Sequence, residues 1–442
     1  MSSSLIDCLA TTGALAEVFS DAGMIQAMLE FEVALARASA AAGVIPSTAA
    51  EMVSAAAGRG DFDISSIAAA ARADATPAIP VVKVLRERVG EIDRSSATYV
   101  HWGATSQDVT DTALILLLRR AQAIIQADHD RLEHALRALS ERHADTVMAG
   151  RTLLQPATPV TFGLKVAGWT AAVVRSWRRL HRAWNTAMVI QLGGAAGTRA
   201  ALGEQGTPIA DAMARALSLR PAPPWHTDRD RLGAVIASCG LYVAVLGKVA
   251  RDITLLMQAE IKEAAEPGGG SSTMPQKRNP AGCALVLAAA TRVPGLVASY
   301  LTAMPQEHER GVGGIQAEWP IVSAVVQSTG AAVAALASVI EGLEVDPARM
   351  RANLDATGGT IYAERAVMLL APALGRDRTR QLVADAIAAS RGSDVPLASA
   401  LRSATQGESG VAPGLFDDLA QPERYLGSAE ALRTQLLGEQ EE

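Results

Sequence analysis

From Ile321 to Ile340 the chain runs without a charged side chain. A helix over such a run is apolar all round, which leaves it two places: a bilayer, or the interior of a large helical body. The run also carries Ser323, Gln327, Ser328, Thr329 and Gly330, and no basic cluster marks a cytoplasmic flank. Leu232 to Gly247 is a second run of this kind. Both are expected to be central helices buried in a helical assembly, and no membrane partner is expected.

Other features agree with helix. Aromatics make up 4% of the residues, alanine is abundant and alternation of Val, Ile and Thr is scarce, so an all-α protein with closely packed small side chains is expected. At 442 residues the chain is long enough for two or three domains. The expected boundaries are an N-terminal helical domain over 1–112, a central helical bundle over 113–350 and a C-terminal helical domain over 351–442. Within the first, Asp21 to Ala42 reads as a helix capped by Ser20 or Asp21 and ended by Gly43 and Pro46. A net charge of −6 with scattered Lys and Arg argues against nucleic acid as a partner, so any anionic substrate must be held by local groups. Cys8, Cys239 and Cys283 show neither a disulfide framework nor zinc spacing, and the first residues lack the basic and apolar regions of an export signal. A cytoplasmic location and no metal or other cofactor are therefore expected.

Gly268 to Pro280, G-G-G-S-S-T-M-P-Q-K-R-N-P, is the stretch richest in chemistry. Asn279 and Pro280 before an apolar run read as N-cap and first residue of a helix, which places Lys277 and Asn279 where free N–H groups favour an anion. The glycines let Ser271 and Ser272 ride on a segment able to open and close. A serine there could exchange a proton with a carbon next to a carboxylate, with Lys277 and the helix start stabilising the dianion that results. The plainer alternative is a Gly/Ser linker capping a helix.

Tyr99 to Thr112 is a second such stretch: Ser106 or Asp108 can cap the helix that follows, leaving the Thr105 and Ser106 hydroxyls beside its N-terminus, a place for a carboxylate. His101 could equally be an ordinary loop histidine. Leu114 to His143 reads as a long amphipathic helix, with His129, His134 and His143 on solvated faces. Gln191 to Gly203 is glycine-rich but lacks the strand context of a dinucleotide site. Trp225 and His226 are expected to be packing residues, and Glu307, His308, Glu309 and Arg310 a surface charge cluster.

The strings G-S-S-T-M-P-Q-K-R-N-P, Y-V-H-W-G-A-T-S-Q-D and G-R-T-L-L-Q-P-A-T-P-V-T-F-G resemble the three signature regions of the fumarase/aspartase superfamily. P-P-W-H-T-D-R-D-R-L and P-Q-E-H-E-R through A-E-W are similar to its 3-carboxy-cis,cis-muconate cycloisomerase branch. The resemblance implies an all-α, three-domain subunit assembling into a homotetramer whose active sites each draw motifs from three subunits, and a small polycarboxylate as substrate. It implies that Ser271 is the acid/base on carbon, that Thr105, Ser106, Thr152 and Gln155 hold carboxylates, that Ser272 and Met274 contact substrate, and that His101, His308 and Arg310 lie near the site.

Where the superfamily's second region commonly has histidine, this chain has Leu153. A histidine-linked acid serves to protonate a leaving amine or hydroxyl. A carboxylate is already ionised at neutral pH, so its addition to a double bond needs only one proton transfer, to carbon. Loss of the histidine thus fits lactone formation, and the resemblance to the cycloisomerase branch implies closure of 3-carboxy-cis,cis-muconate to 4-carboxymuconolactone without metal or cofactor, the proton coming from Ser271 or His101. A sulfonated muconate analogue, an adenylosuccinate-type lyase and a catalytically silent helical scaffold are the alternatives.

Overall fold

The computed structural model describes residues 5–270, 273–274, 277–391, 395–412, 414–419 and 421–438. The fold is all-α: the β-strands among the described residues are a hairpin of Val147–Thr152 with Gln155–Thr161, and a short pair, Ala264–Ala265 with Glu344–Val345. The long helices are Ser106–Arg142, Phe162–Ala187, Asp230–Leu256, Ala281–Ala303 and Gly314–Glu341.

Local chemistry sets the helix ends. Ser20 caps Asp21–Ala41 by accepting from the Gly23 N–H, which settles the Ser20/Asp21 alternative, and Gly43 at φ 70° lets the chain turn away. Ser106–Arg142 includes both caps proposed from sequence, Ser106 as its first residue and Asp108 as its third. Thr105 stands at the cap position, and Asp108 reaches back to accept from the Thr105 N–H at 3.0 Å, as the third residue of a capping box does.

The two charge-free runs fall inside Gly314–Glu341 and Asp230–Leu256, which bury 56% and 67% of their most apolar windows. Ala281–Ala303 is the third helix long and apolar enough to cross a membrane, and only 17% of its window is buried. Arg292 and Pro294 interrupt its apolar run in sequence, and the helix continues through the proline.

The chain divides into two compact units, each discontinuous in sequence. The first takes residues through Asp130, Ser176–Lys248 and Ala284–Leu336. Its interior includes Phe31, Leu35, Leu85, Ile115, Trp184 and Tyr242. Helices here approach closely: a Cβ on Gly247 would come within 2.6 Å of the Ala290 Cβ. His129, expected on a solvated face, is instead buried, its Nδ1 2.9 Å from the Tyr242 hydroxyl and its ring stacked on Trp177. Periodicity alone could not place it, because the charged neighbours that suggested solvent lie on other faces of a helix buried over much of its girth.

The second unit takes Arg131–Arg175, Val249–Cys283 and the residues from Ala337 onward. Tyr362, Leu370, Leu397, Leu401 and Phe416 form one core, while Val147 and Ala149 of the hairpin pack with Leu354. His143 is likewise buried, with Nδ1 3.0 Å from the Thr146 hydroxyl, and burial beside Arg142 lowers its pKa. Arg151 at the hairpin's far end grips the fully buried Glu263 through two bonds of 2.9 and 2.6 Å.

Candidate active site

In the first unit the site is built around the start of Ser106–Arg142. Asp108, fully buried, accepts from four donors: the Thr105 and Gly194 N–H groups on Oδ2, the Gly193 N–H and His226 Nε2 on Oδ1, all at 2.8–3.0 Å. One carboxylate therefore ties together the loop before the helix, the glycine turn at 193–194 and the segment carrying His226. Gly193 must be glycine, since a Cβ would lie 2.2 Å from the His226 ring. The N–H groups of this turn are thus spent on Asp108, which is why the turn looks like a nucleotide loop in sequence.

One helical turn further in, Asp111 and Glu318 flank Arg229, all fully buried. Arg229 gives paired bonds to Asp111 at 2.9 Å and bonds of 2.8–3.2 Å to Glu318. Burial pushes the Glu318 carboxyl up despite Arg229, and the two carboxylates outweigh burial in raising the pKa of Arg229. Gln107 donates to Asp111 and to the His226 carbonyl, and its own carbonyl accepts from Arg310 at 3.0 Å. Arg310 also donates to the carbonyls of Gly194 and Ala195.

These anchors leave Thr105 and Ser106 partly exposed at the helix start. His101 lies just before them with φ 63°, and its Nδ1 is 2.6 Å from Oε1 of Glu32. His308, at φ 47°, is exposed. Arg310 is not part of a surface charge cluster: its described partners are Gln107 and two carbonyls.

In the second unit the hairpin tip and the glycine-rich loop carry the remaining candidates. Thr152 pairs with Gln155 across a two-residue turn, Leu153–Leu154, with both leucines at positive φ, 52° and 64°. Such turns favour Asn-Gly, and leucine is strained in them. Leu153 is 97% and Leu154 71% exposed, and Thr152 and Gln155 are exposed with them.

In the loop, Gly269 at φ 69° accepts from the Asn279 N–H at 2.7 Å, and a Cβ there would meet the Asn279 carbonyl at 1.9 Å. Lys277 and Met274 are exposed, and the Lys277 N–H donates to the Met274 carbonyl. Ser271 and Ser272 lie outside the described residues. The helix start behind this loop differs from expectation. Ala281–Ala303 begins after Pro280, and its Gly282 and Cys283 N–H groups are taken by the buried carboxylate of Glu266 at 2.8 and 3.1 Å. The anion at this N-terminus is the protein's own, so these two N–H groups are not open to a ligand. Burial and Glu266 push the Cys283 thiol well above its usual range.

The first unit thus holds His101, Thr105, Ser106, His308 and Arg310, and the second holds Thr152, Gln155, Met274, Lys277 and Asn279. Glu32, Asp111, Arg229, Glu318 and Glu266 escaped sequence reading, and Asp108 was legible only as a possible helix cap. The spacing Asp108–Asp111, one helical turn apart just before the apolar run Ala113–Leu118, was the one local signal for any of them.

Comparison with known proteins decides the family. A lyase family model matches residues 9–295. The chain belongs to this lyase family. It is 44% identical over 440 residues to 3-carboxy-cis,cis-muconate cycloisomerase of Pseudomonas aeruginosa, covering 98% of this chain and 96% of that protein. The crystal structure of 3-carboxy-cis,cis-muconate lactonizing enzyme from Pseudomonas putida superposes with a TM-score of 0.93 at 42% identity, over 98% of each chain. Nitrosuccinate lyase of Streptomyces davaonensis is 41% identical over 434 residues, 95% of this chain and 91% of that one. The fumarase-type fold and the cycloisomerase branch read from the signature strings are both borne out.

Proposed function

We propose that the chain is a 3-carboxy-cis,cis-muconate cycloisomerase, closing that tricarboxylate to 4-carboxymuconolactone in the protocatechuate branch of aromatic degradation. The observation that carries the reading is near-full-length identity of 44% to an enzyme of that name. Leu153 supports it: a hydrocarbon side chain at the exposed hairpin tip can neither give nor take a proton, and this reaction needs none there.

In the proposed reaction a substrate carboxylate oxygen bonds to one alkene carbon and the electron pair moves toward the carboxylate-bearing neighbour. That carbon then takes one proton, so the trianion consumes one proton from solvent per turnover. Thr105, Ser106, Thr152 and Gln155 hold substrate carboxylates, with Ser272, Met274, His308 and Arg310 around them. Lys277 and Asn279 stabilise the enolate-like dianion, and Ser271 or His101 delivers the proton. Such preorganised charge and proton transfer each contribute a factor of about a hundred or more.

The enzyme works as a cytoplasmic homotetramer with shared sites. The sparsely buried Ala281–Ala303 helix supports association, because an apolar face of that length needs a cover.

A second reading, elimination of nitrite from nitrosuccinate, draws on the 41% identity to nitrosuccinate lyase and on the same leucine, since nitrite leaves as a stable anion without an acid. The test is loss of diene ultraviolet absorbance when chelator-treated protein meets 3-carboxy-cis,cis-muconate, with Ser271→Ala, the sulfonated muconate and nitrosuccinate run beside it. Fast loss by the wild type is expected, and about a hundredfold less by the variant if Ser271 is the donor. No loss with the tricarboxylate, but turnover of the sulfonate or of nitrosuccinate, would replace the substrate.

A further inference from the structure

Glu32 lies within Asp21–Ala41 at 1% exposure, on a helix whose other buried positions are apolar, Met28, Leu29, Phe31 and Leu35 among them, except for Ser39. Burying a carboxylate in such company is costly unless it is paired. Its described partner is a single ring, that of His101, with Oε1 2.6 Å from Nδ1, and its Oε2 accepts no hydrogen bond among the described residues. His101 in turn holds a left-handed backbone at φ 63°, a conformation that is strained for a non-glycine residue and persists where surrounding structure enforces it. A buried charge, an oxygen without a donor and a strained backbone therefore converge on one imidazole.

Mere packing does not explain this, since an apolar residue at position 32 would avoid both the buried charge and the oxygen without a donor. Chemistry does. A histidine whose Nδ1–H is held by a carboxylate presents Nε2 outward in a fixed orientation, and its charged form is stabilised by the partner. His101 remains 17% exposed and stands four residues before Thr105.

We infer that Glu32 is a positioning residue: it grips His101 through Nδ1 as an imidazolium and makes His101 the group that delivers the proton to carbon. This rests on the cycloisomerase reading and chooses His101 over Ser271 as the donor. In the step, the Nε2–H bond breaks as the new C–H bond forms. The imidazole is left neutral on the Glu32 carboxylate and takes a proton from solvent before the next turnover.

The charged groups around the ring fit that role. Burial pulls the His101 pKa down, Glu32 of the Asp21–Ala41 helix and Asp108 of Ser106–Arg142 push it up, and Arg86 of Ala78–Ile92 opposes them, with a net rise.

The experiment measures the pH dependence of kcat/KM for muconate loss in wild type, Glu32→Gln, Glu32→Asp and His101→Asn, and follows the His101 ring titration by NMR of histidine-labelled tetramer. Glu32→Gln is expected to move the alkaline limb and the ring titration together to lower pH. Its activity should fall about tenfold or more on the alkaline side and much less on the acid side, while Glu32→Asp keeps the limb in place and His101→Asn loses about a hundredfold. A Glu32→Gln loss that is equal at every pH, or a His101→Asn variant that keeps its rate, overturns the inference. If the wild type leaves the tricarboxylate untouched, the cycloisomerase reading fails. The ring titration then still judges the pair, and a titration unmoved by Glu32→Gln refutes it. Should Glu32→Gln not fold, a wild-type His101 that titrates at or below the ordinary histidine value refutes it as well.

Discussion

Arg229 sits between Asp111 and Glu318 with no solvent to screen any of the three. Removing the cation leaves two buried carboxylates facing each other, and breaking a buried pair from one side costs about 3–5 kcal/mol. Arg229→Met is therefore expected to lower the free energy of unfolding by that amount, and Arg229→Lys to recover only part of it, since one ammonium cannot bond both carboxylates along two edges. Equilibrium denaturation of the three proteins checks it. His101 makes a different stability prediction. Its pKa is raised in the folded state by Glu32 and Asp108 against burial, so the stability it contributes is complete below the unfolded histidine value, about 6.5, and fades as pH rises through the folded value. The stability lost in Glu32→Gln should accordingly be largest near pH 6 and shrink toward pH 9, about three units higher. A gap that grows with pH would mean that the ring is not held as a cation.

At the scale of elements, the hairpin tip shows a local choice that only function explains. Two leucines at positive φ, one of them 97% exposed, give up the stability that Asn-Gly would supply in the same turn. Replacing Leu153–Leu154 by Asn-Gly is expected to raise stability by about 1 kcal/mol and lower turnover about tenfold or more, because the tip is proposed to carry Thr152 and Gln155 into substrate contact. Melting temperature and kcat, read on one preparation, test both halves. The hairpin also marks a limit of sequence reading. Helices such as Asp21–Ala41 were legible because their period and caps are local, and the signature strings were legible because they are contiguous. The Leu-Leu turn carries no turn residue to announce it. Glu32 is far in sequence from His101, and the Glu266 carboxylate reaches Gly282 and Cys283 only through the folded path of the chain, so pairings of this kind have no sequence signal at all.

The whole molecule poses one question that a single chain leaves in view. Ala281–Ala303 is apolar enough to span a bilayer yet has 17% of its apolar window buried, with Leu285 and Leu301 exposed along it. A face of this extent needs cover, from lipid or from other copies of the chain. Copies are the better cover on the proposed reading, since the expected site takes its motifs from three subunits. Leu285→Lys with Leu301→Lys would place charges in such an interface, where each unpaired one costs several kcal/mol. The double variant is expected to sediment as smaller species and to lose muconate turnover with its assembly, while the wild type sediments as a tetramer and stays free of lipid vesicles. The shared site gives an independent check. His101→Asn and Lys277→Ala are each expected to be nearly inactive alone. After the two are dissociated together and reassembled, some sites draw His101 from one variant and Lys277 from the other, and activity returns. Recovery near a quarter of wild type is the upper bound for random mixing of two defects in one site. No recovery from mixed tetramers would place both residues of each site on the same chain and refute the shared architecture.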